Sequence, residues 1–247
     1  MRIIINGSCG RMGREVVRLV ESGYHDTSVA AAVDVNNSAK EKYPIFENLF
    51  DFDGPADCII DFSHHTTASV LMDYAVEKNL PVVVATTGQT DEERRIIEAA
   101  AKKVPVFLSA NMSVGIALLV NLAKIAARSF PDANIEIIEK HHNRKIDVPS
   151  GTALMLANAV KDIRSDAEFV VGRHKNGKRQ EQDVGIHSLR LGNIVGEHEV
   201  ILATDTQVIT LKHEAQSRTL FAEGAVAAAE FLVGCSAGLY NMEDMIK

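Results

Sequence analysis

Between Glu139 and Val160 the chain reads EKHHNRKIDVPSGTALMLANAV, and five consecutive positions of that stretch hold His141, His142, Arg144 and Lys145. An imidazole exchanges a proton near neutral pH, and ammonium and guanidinium groups attract anions. Pro149-Ser150-Gly151-Thr152 then leads into Ala153, Leu154, Leu156, Ala157 and Val160, which fall at helical spacing. A helix that opens on Ser, Gly and Thr offers unpaired amides and a positive dipole end, a site for a carboxylate or phosphate. Taken alone, HHNRK is equally a solvated basic loop. Next to such a helix start it reads as a site where a small anion is held within reach of a proton donor.

A second chemical signal lies in NGSCGRMG, whose glycines are Gly7, Gly10 and Gly13. The spacing is not G-x-G-x-x-G, but the context is that of a dinucleotide-binding turn. The apolar run Arg2 to Asn6 precedes it, and Met12, Val16, Leu19 and Val20 follow at helical spacing. Ser28 to Asp34 (SVAAAVD) is a second apolar strand that ends in a carboxylate roughly 20 residues on. Glycines admit the backbone to a pyrophosphate, the helix N-terminus faces it, and Asp34 accepts from ribose hydroxyls. A carboxylate there, followed by Val35 and Asn36, favours NADH slightly over NADPH, with Arg11 or Lys40 the groups able to offset it. The other reading is a tight structural turn.

These groups need a scaffold, and the strand–helix alternation supplies one. Strands are expected at Cys58–Phe62, Pro81–Thr86 and Val104–Leu108, and helices at Thr66–Lys78 and Thr90–Lys103. Strands so uniformly apolar are covered on both faces, as in a parallel sheet. Ser113 to Ser129 is apolar nearly all round and reads as a buried helix. Beyond it the pattern changes. Asn134–Lys140 is a strand, Phe169–Gly172 another, and Gly185–Leu191, Ile194–Ala203 and Gln207–Glu214 alternate. Gly192-Asn193 and Thr204–Thr206 suit hairpins between those last three. The expected fold class is α/β: a Rossmann-like doubly wound parallel sheet plus a second α+β domain with a mixed, largely antiparallel sheet. Residues 1–111 plus 219–247 would form the dinucleotide-binding domain and 112–218 the substrate-binding domain, with the helix Thr219–Leu232 returning to the first. The ligand cleft is expected between them, at the carboxyl ends of the first sheet's strands.

Composition narrows the class. An apolar fraction of 46%, a charged fraction of 24% and a net charge of −7 describe an ordinary globular chain without a basic face for nucleic acid or anionic membrane. The cationic loop Gly172 to Arg179, flanked by Glu168, Glu181 and Asp183, reads as solvated rather than as a nucleic-acid patch. Three cysteines, Cys9, Cys58 and Cys235, give neither a disulfide framework nor a metal pattern, so no metal and a reducing, cytoplasmic setting are expected. Ile3-Ile4-Ile5 is too short for a signal peptide or a membrane span.

EKHHNRKIDVPSGTA resembles the E-x-H-H-x-x-K-x-D-A-P-S-G-T-A signature of the dihydrodipicolinate reductase family. GSCGRMG, ATTG (Ala85 to Gly88), SANMSVG (Ser109 to Gly115), RLGNIVGEHEV (Arg190 to Val200) and SRTLFAEGA (Ser217 to Ala225) are similar to further family motifs, in order along nearly the whole chain. The resemblance implies reduction of 4-hydroxy-tetrahydrodipicolinate, a small cyclic dicarboxylate, by NADH or NADPH in the diaminopimelate and lysine pathway. It implies His141 as general acid/base and Lys145 as second catalytic donor, with His142, Lys145, Ser150, Gly151 and Thr152 on the substrate carboxylates. It places Gly7, Ser8, Cys9, Gly10, Arg11, Met12, Asp34, Ala85, Thr86, Thr87, Ser109, Ala110, Asn111 and Met112 along the cofactor, and it implies a homotetramer assembled through the second domain's sheet. The chain departs from the family at Cys9, for Gly or Ala, at Ala85, for the first Gly of G-T-T-G, and at Val148, for Ala; the first two touch the cofactor pocket. The alternatives are another two-domain NAD(P)-dependent dehydrogenase of small amino or keto acids, and a protein that senses NAD(P) without turnover.

Overall fold

The computed structural model describes residues 1–36 and 42–246, and Lys40 lies outside them. The chain forms two compact units, one made of Met1–Ser113 with Arg218–Lys247 and the other of Val114–Ser217.

The first unit contains β1 (Arg2–Asn6), α1 (Arg11–Glu21), β2 (Ser28–Val33), β3 (Ile45–Phe46), β4 (Cys58–Asp61), α2 (Ala68–Lys78), β5 (Val82–Val84), α3 (Asp91–Ala101) and β6 (Pro105–Leu108). With β12 (Gly238–Tyr240) at one edge, the apolar strands pair in parallel in the order β12-β6-β5-β4-β1-β2-β3. This is a doubly wound sheet whose strand order reverses between β1 and β4. Helices α2 and α3 pack together on one face, where Leu71, Met72, Tyr74 and Ile97 meet Ile4, Ile59 and Val82. Further along the chain, α6 (Thr219–Val233) packs against α1 and β4, and β12 (Gly238–Tyr240) and α7 (Met242–Met245) follow it. Edge strands β3 and β12 are absent from the sequence expectation because two or three residues are too few to carry a period. Gly224 lets α6 press directly on the loop after β6, since a Cβ there would collide with the Met112 carbonyl oxygen.

The second unit runs α4 (Val114–Ser129), β7 (Asn134–His141), α5 (Gly151–Lys161), β8 (Glu168–Val171), β9 (Asp183–Arg190), β10 (Gly196–Ala203) and β11 (Val208–Ala215). Helices α4 and α5 cover one face of its sheet, closing Leu119, Val120, Leu156 and Val160 over Ile135, Ile137, Ile186 and Val200. The order is β11-β10-β7-β9-β8. Strand β10 runs antiparallel to β11 and β7, whereas β9 runs parallel to β7 and β8, so the sheet is mixed with less antiparallel pairing than the alternating patterns suggest. The expected hairpin at Gly192-Asn193 does not form, because β7 lies between β9 and β10. Alternation reports which face a residue takes and not which strand is its neighbour. A link from Leu191 to Val195 reaches roughly 16 Å, ample for the two strand spacings of about 10 Å that it crosses. It passes over the end of β7, where Leu191 donates to the His141 carbonyl and Asn143 to that of Gly192.

Helix α4 is also not buried all round. Its stripe Val114, Leu118, Leu122 and Ile125 is exposed, Ile125 at 56%, because α4 meets its sheet along one side only. In the Gly172–Arg179 loop, Arg173 binds Asp183 at 3.0 Å and Arg179 donates to the Ile135 carbonyl at 3.3 Å, so both arginines brace the starts of β9 and β7. Among the described residues, no helix is long and apolar enough to cross a membrane.

Candidate active site

The E-x-H spacing on β7 puts Glu139 and His141 on the same face, since side chains alternate along a strand. Glu139 has no solvent exposure. Its Oε2 lies 2.5 Å from His141 Nδ1. Arg190, from the end of the neighbouring β9, donates to both carboxylate oxygens at 2.8 Å. The Ser150 amide donates to Oε1 at 3.2 Å. Burial alone would raise the Glu139 pKa, but the hydrogen bonds from His141 and Arg190 outweigh it and hold the carboxyl well below the usual carboxylate range. An ionised Glu139 fixes the His141 proton on Nδ1 and leaves Nε2 to face outward, where it can exchange a proton with a ligand. Space beside Nε2 is kept by Gly196: a Cβ there would sit 3.1 Å from it.

Helix α5 starts against this pair. Ser150 Oγ accepts from the Ala153 amide at 3.1 Å and caps the helix. The same oxygen is 3.1 Å from Nε2 of the buried His198 on β10. Burial, and secondarily the neighbouring His141, push the His198 pKa down to about 3, so its ring is neutral at pH 7. Gly151 and Thr152 form the first turn. A Cβ built on Gly151 meets no atom within 4 Å, so nothing in the fold requires a glycine there. The loop between β7 and α5 contains the cis peptide Val148–Pro149 and projects Ile146, 95% exposed. Lys145 pairs with Asp147 at 2.8 Å, and Arg190 donates to the Asp147 carbonyl at 2.8 Å, tying the loop to the Glu139 cluster. His142 is half-buried on the same loop.

In the first unit, Gly7 has φ +78°, and a Cβ there would lie 2.5 Å from the Phe62 carbonyl oxygen. A Cβ on Gly13 would strike the Gly7 carbonyl oxygen. These two glycines therefore bring β1, β4 and α1 together. Gly10 caps α1 with no side chain, which leaves first-turn amides for an anion. Asp34 accepts from the Cys9 amide at 2.9 Å and from the Asn36 amide at 2.9 Å. Gly7, Gly10 and Asp34 line a cavity of about 530 Å³ whose other walls include Phe62, His64 and Val70. Arg11 and Met12 instead line a separate cavity of about 250 Å³ with Phe62, Met112, Arg218 and Phe221. Ser8 and Cys9 turn to a third, beside Arg14 and Arg18. The expected cofactor residues are thus spread over three faces of one turn.

Ala85 and Thr86 are buried, and the Thr86 hydroxyl donates to Asp61 at 2.7 Å. Thr87 is exposed beyond them. Ser109 and Asn111 close a turn on each other, with the Ser109 hydroxyl donating to the Asn111 carbonyl at 2.8 Å, next to Ala110 and the buried Met112. Cradle, cavity, uncapped helix and the Asp34 carboxylate together fit a dinucleotide.

Two family models account for almost the whole chain. The N-terminal model of dihydrodipicolinate reductase matches residues 1–112 and the C-terminal one residues 115–246. The chain belongs to the dihydrodipicolinate reductase family. It is 45% identical over 249 residues to the 4-hydroxy-tetrahydrodipicolinate reductase of Caldanaerobacter subterraneus subsp. tengcongensis, covering 100% of this chain and 98% of that one. The enzyme of the same name from Clostridium novyi is 46% identical over 248 residues, with 100% and 98% covered. Among solved structures, the dipicolinate-bound dihydrodipicolinate reductase of Paenisporosarcina sp. TG-14 superposes with a TM-score of 0.85 at 26% identity, covering 100% of this chain and 99% of that one.

Several groups that the fold brings to the expected site residues went unassigned in the sequence. Glu139, Arg190 and His198 lie inside motifs that carry the family resemblance, yet only the β7–β9–β10 arrangement shows that they meet. The i, i+2 spacing of Glu139 and His141 on a strand was the available signal. Arg218 and Phe221 reach the glycine turn from more than 200 positions away in sequence, and no local pattern announces that. Asp61 is the sixth. It is buried among Asn6, Ser63 and Thr86, accepting from them at 2.8, 2.5 and 2.7 Å, and it ties together the carboxyl ends of β1, β4 and β5.

The open space at Gly151 leads to a test. In Gly151→Ala the melting temperature should hold or rise, since Ala is favoured over Gly in a helix by up to about 1 kcal/mol. The KM for the substrate should rise about tenfold if a ligand carboxylate approaches that backbone, equivalent to about 1.4 kcal/mol. An unchanged KM would leave the helix start without a ligand.

Proposed function

We propose that this oxidoreductase reduces 4-hydroxy-tetrahydrodipicolinate to tetrahydrodipicolinate with loss of water, a step of the diaminopimelate and lysine pathway, using NADH or NADPH. The observation that carries the reading is the Glu139–His141 pair set against the Ser150-Gly151-Thr152 helix start. A proton donor held by a buried carboxylate stands beside an anion site, and a receptor that never turned over would have no use for the former. The solved relative from Paenisporosarcina sp. TG-14, bound to dipicolinate, supports a ring with two carboxylates as ligand.

When bound, the nicotinamide supplies the hydride. The chain's own residues do the rest. Ser150, Gly151 and Thr152 hold one carboxylate through amides and hydroxyls, while His142 and Lys145 add positive charge and donors for the substrate. Reduction of the ring would also require a proton at the reacting end. His141 Nε2 delivers that proton while Glu139 holds its ring in place, and Lys145 offsets the developing charge as the second donor. Gly7 to Met12 would line the cofactor, with the first-turn amides of α1 toward its pyrophosphate and Asp34 toward the adenosine ribose, and Ala85–Thr87 with Ser109–Met112 would line the remainder. The homotetramer and the cytoplasmic setting belong to the same proposal, as does the division into a cofactor domain, 1–111 with 219–247, and a substrate domain, 112–218.

The deciding experiment follows NADH and NADPH absorbance with the product of dihydrodipicolinate synthase as substrate. Turnover is expected with at least one cofactor, and none with either would remove the assignment. Asp34 lines the cavity beside Gly7 and Gly10, where its charge would repel a 2′-phosphate, and Arg11 lines a different cavity. The kcat/KM is therefore expected to favour NADH by up to about tenfold, or ~1.4 kcal/mol. A strong preference for NADPH would overturn the role given to Asp34.

A further inference from the structure

We infer that His198 is a positioning residue that fixes the hydroxyl proton of Ser150 outward, toward the substrate carboxylate. This rests on the reading that a carboxylate is held at the start of α5.

His198 is 4% exposed on β10, with its ring edge-on to that of His141 and the centroids 5.1 Å apart. Its Nε2 is 3.1 Å from Ser150 Oγ, and its Nδ1 is buried without a hydrogen-bond partner among the described residues. Burial keeps the ring neutral, so it carries one N–H, and the two tautomers differ in what they strand. With the proton on Nδ1, an N–H would be left unpaired in the interior, which folded proteins rarely tolerate. With the proton on Nε2, only a lone pair is left bare, and the N–H is used on Ser150 Oγ. The second arrangement is the favoured one.

The consequence falls on Ser150. Its oxygen already accepts from the Ala153 amide at 3.1 Å as helix cap. With His198 donating as well, both lone pairs of the hydroxyl are filled, and its own hydrogen has to donate to a third group. The opposite tautomer would draw that hydrogen into the protein and leave Ser150 with nothing to offer a ligand. A neutral ring in this place also adds no charge beside His141.

The tautomer can be read directly in ligand-free protein labelled with ¹⁵N-histidine, using long-range ¹H–¹⁵N correlation and assigning His198 by its loss in His198→Gln. A protonated Nε2 with a bare Nδ1 at pH 7 is expected; a protonated Nδ1, or an imidazolium, would overturn the inference. Because no substrate is present, this result is independent of the turnover assay, and failure of that assay alone would strike the functional reading instead. In kinetics, His198→Leu should raise the substrate KM and the dipicolinate Kd about tenfold. The KM for NADH and the kcat should stay within about threefold. His198→Gln, whose amide can still donate to Oγ, should recover most of the loss even if the leucine variant folds poorly. Ser150→Ala should match His198→Leu, and the double variant should be no worse than either. Additive losses, or a loss confined to kcat, would assign His198 a role that does not run through Ser150.

Discussion

His141→Gln is expected to lower kcat about 100-fold, the usual contribution of a positioned general acid, while the KM for NADH changes little. The glutamine can still donate to Glu139, so the carboxylate keeps its partner, but it has no proton to exchange where Nε2 stood. Steady-state rates with saturating substrate, alongside a thermal melt to confirm folding, check this. An unchanged kcat would remove His141 from proton transfer. The effect is expected to be large because the fold isolates the imidazole. It is buried at the end of β7, Glu139 holds one nitrogen at 2.5 Å, and Gly196 clears room beside the other. No other described imidazole shares this placement, for His198 next to it is neutral and turned to Ser150.

Glu139→Gln should be the most destabilising single change at the site. A neutral amide cannot accept from His141 and from both Arg190 nitrogens together, and the guanidinium is left part-buried without its counterion. Breaking a buried pair in this way costs about 3–5 kcal/mol. For a chain of this size that corresponds to a fall in melting temperature of roughly 6–20 °C. The pH dependence follows from the direction of the shift. The folded pKa of Glu139 lies below its unfolded value of about 4.3. Its ionisation therefore stabilises the fold fully above about pH 4.3, and that contribution is lost as pH falls through the depressed value. The gap in stability between the parent and Glu139→Gln should accordingly be constant near neutrality and narrow below about pH 4, as read by denaturant melts across the range. A gap that widened in acid would contradict the ionised Glu139. His198 acts in the same direction over a higher window. Its folded pKa of about 3 lies below the ordinary histidine value of about 6.5, so stability declines from there downward as the unfolded state takes up a proton first.

Both predictions concern a cluster that forms where three strands of the second sheet end. Glu139 and His141 come from β7, Arg190 from β9 and His198 from β10, and β7 separates the other two. Had β9 and β10 formed the hairpin that Gly192-Asn193 suggests, β7 would not lie between them, and Arg190 and His198 would lose their places on either side of it. The inserted strand is therefore what assembles the site.

The amino-acid sequence by itself determined the fold class, the family and the helix start at Ser150. Each is written in local periodicity, in turn chemistry or in motifs whose residues stand close together. NGSCGRMG makes its turn because Gly7 and Gly13 lack a Cβ where β4 and β1 crowd them, and that need is visible in residue type. The order of strands in the second sheet, the exposed side of α4, the convergence of Arg218 and Phe221 on the glycine turn and the partners of Glu139 were decided only by tertiary structure. The physical reason is common to all four. Alternation and helical spacing say which face of an element is apolar, whereas a partner across a sheet is chosen by the joint burial of every strand at once. A hydrogen bond between residues 51 positions apart, as from Arg190 to Glu139, leaves no trace in either neighbourhood.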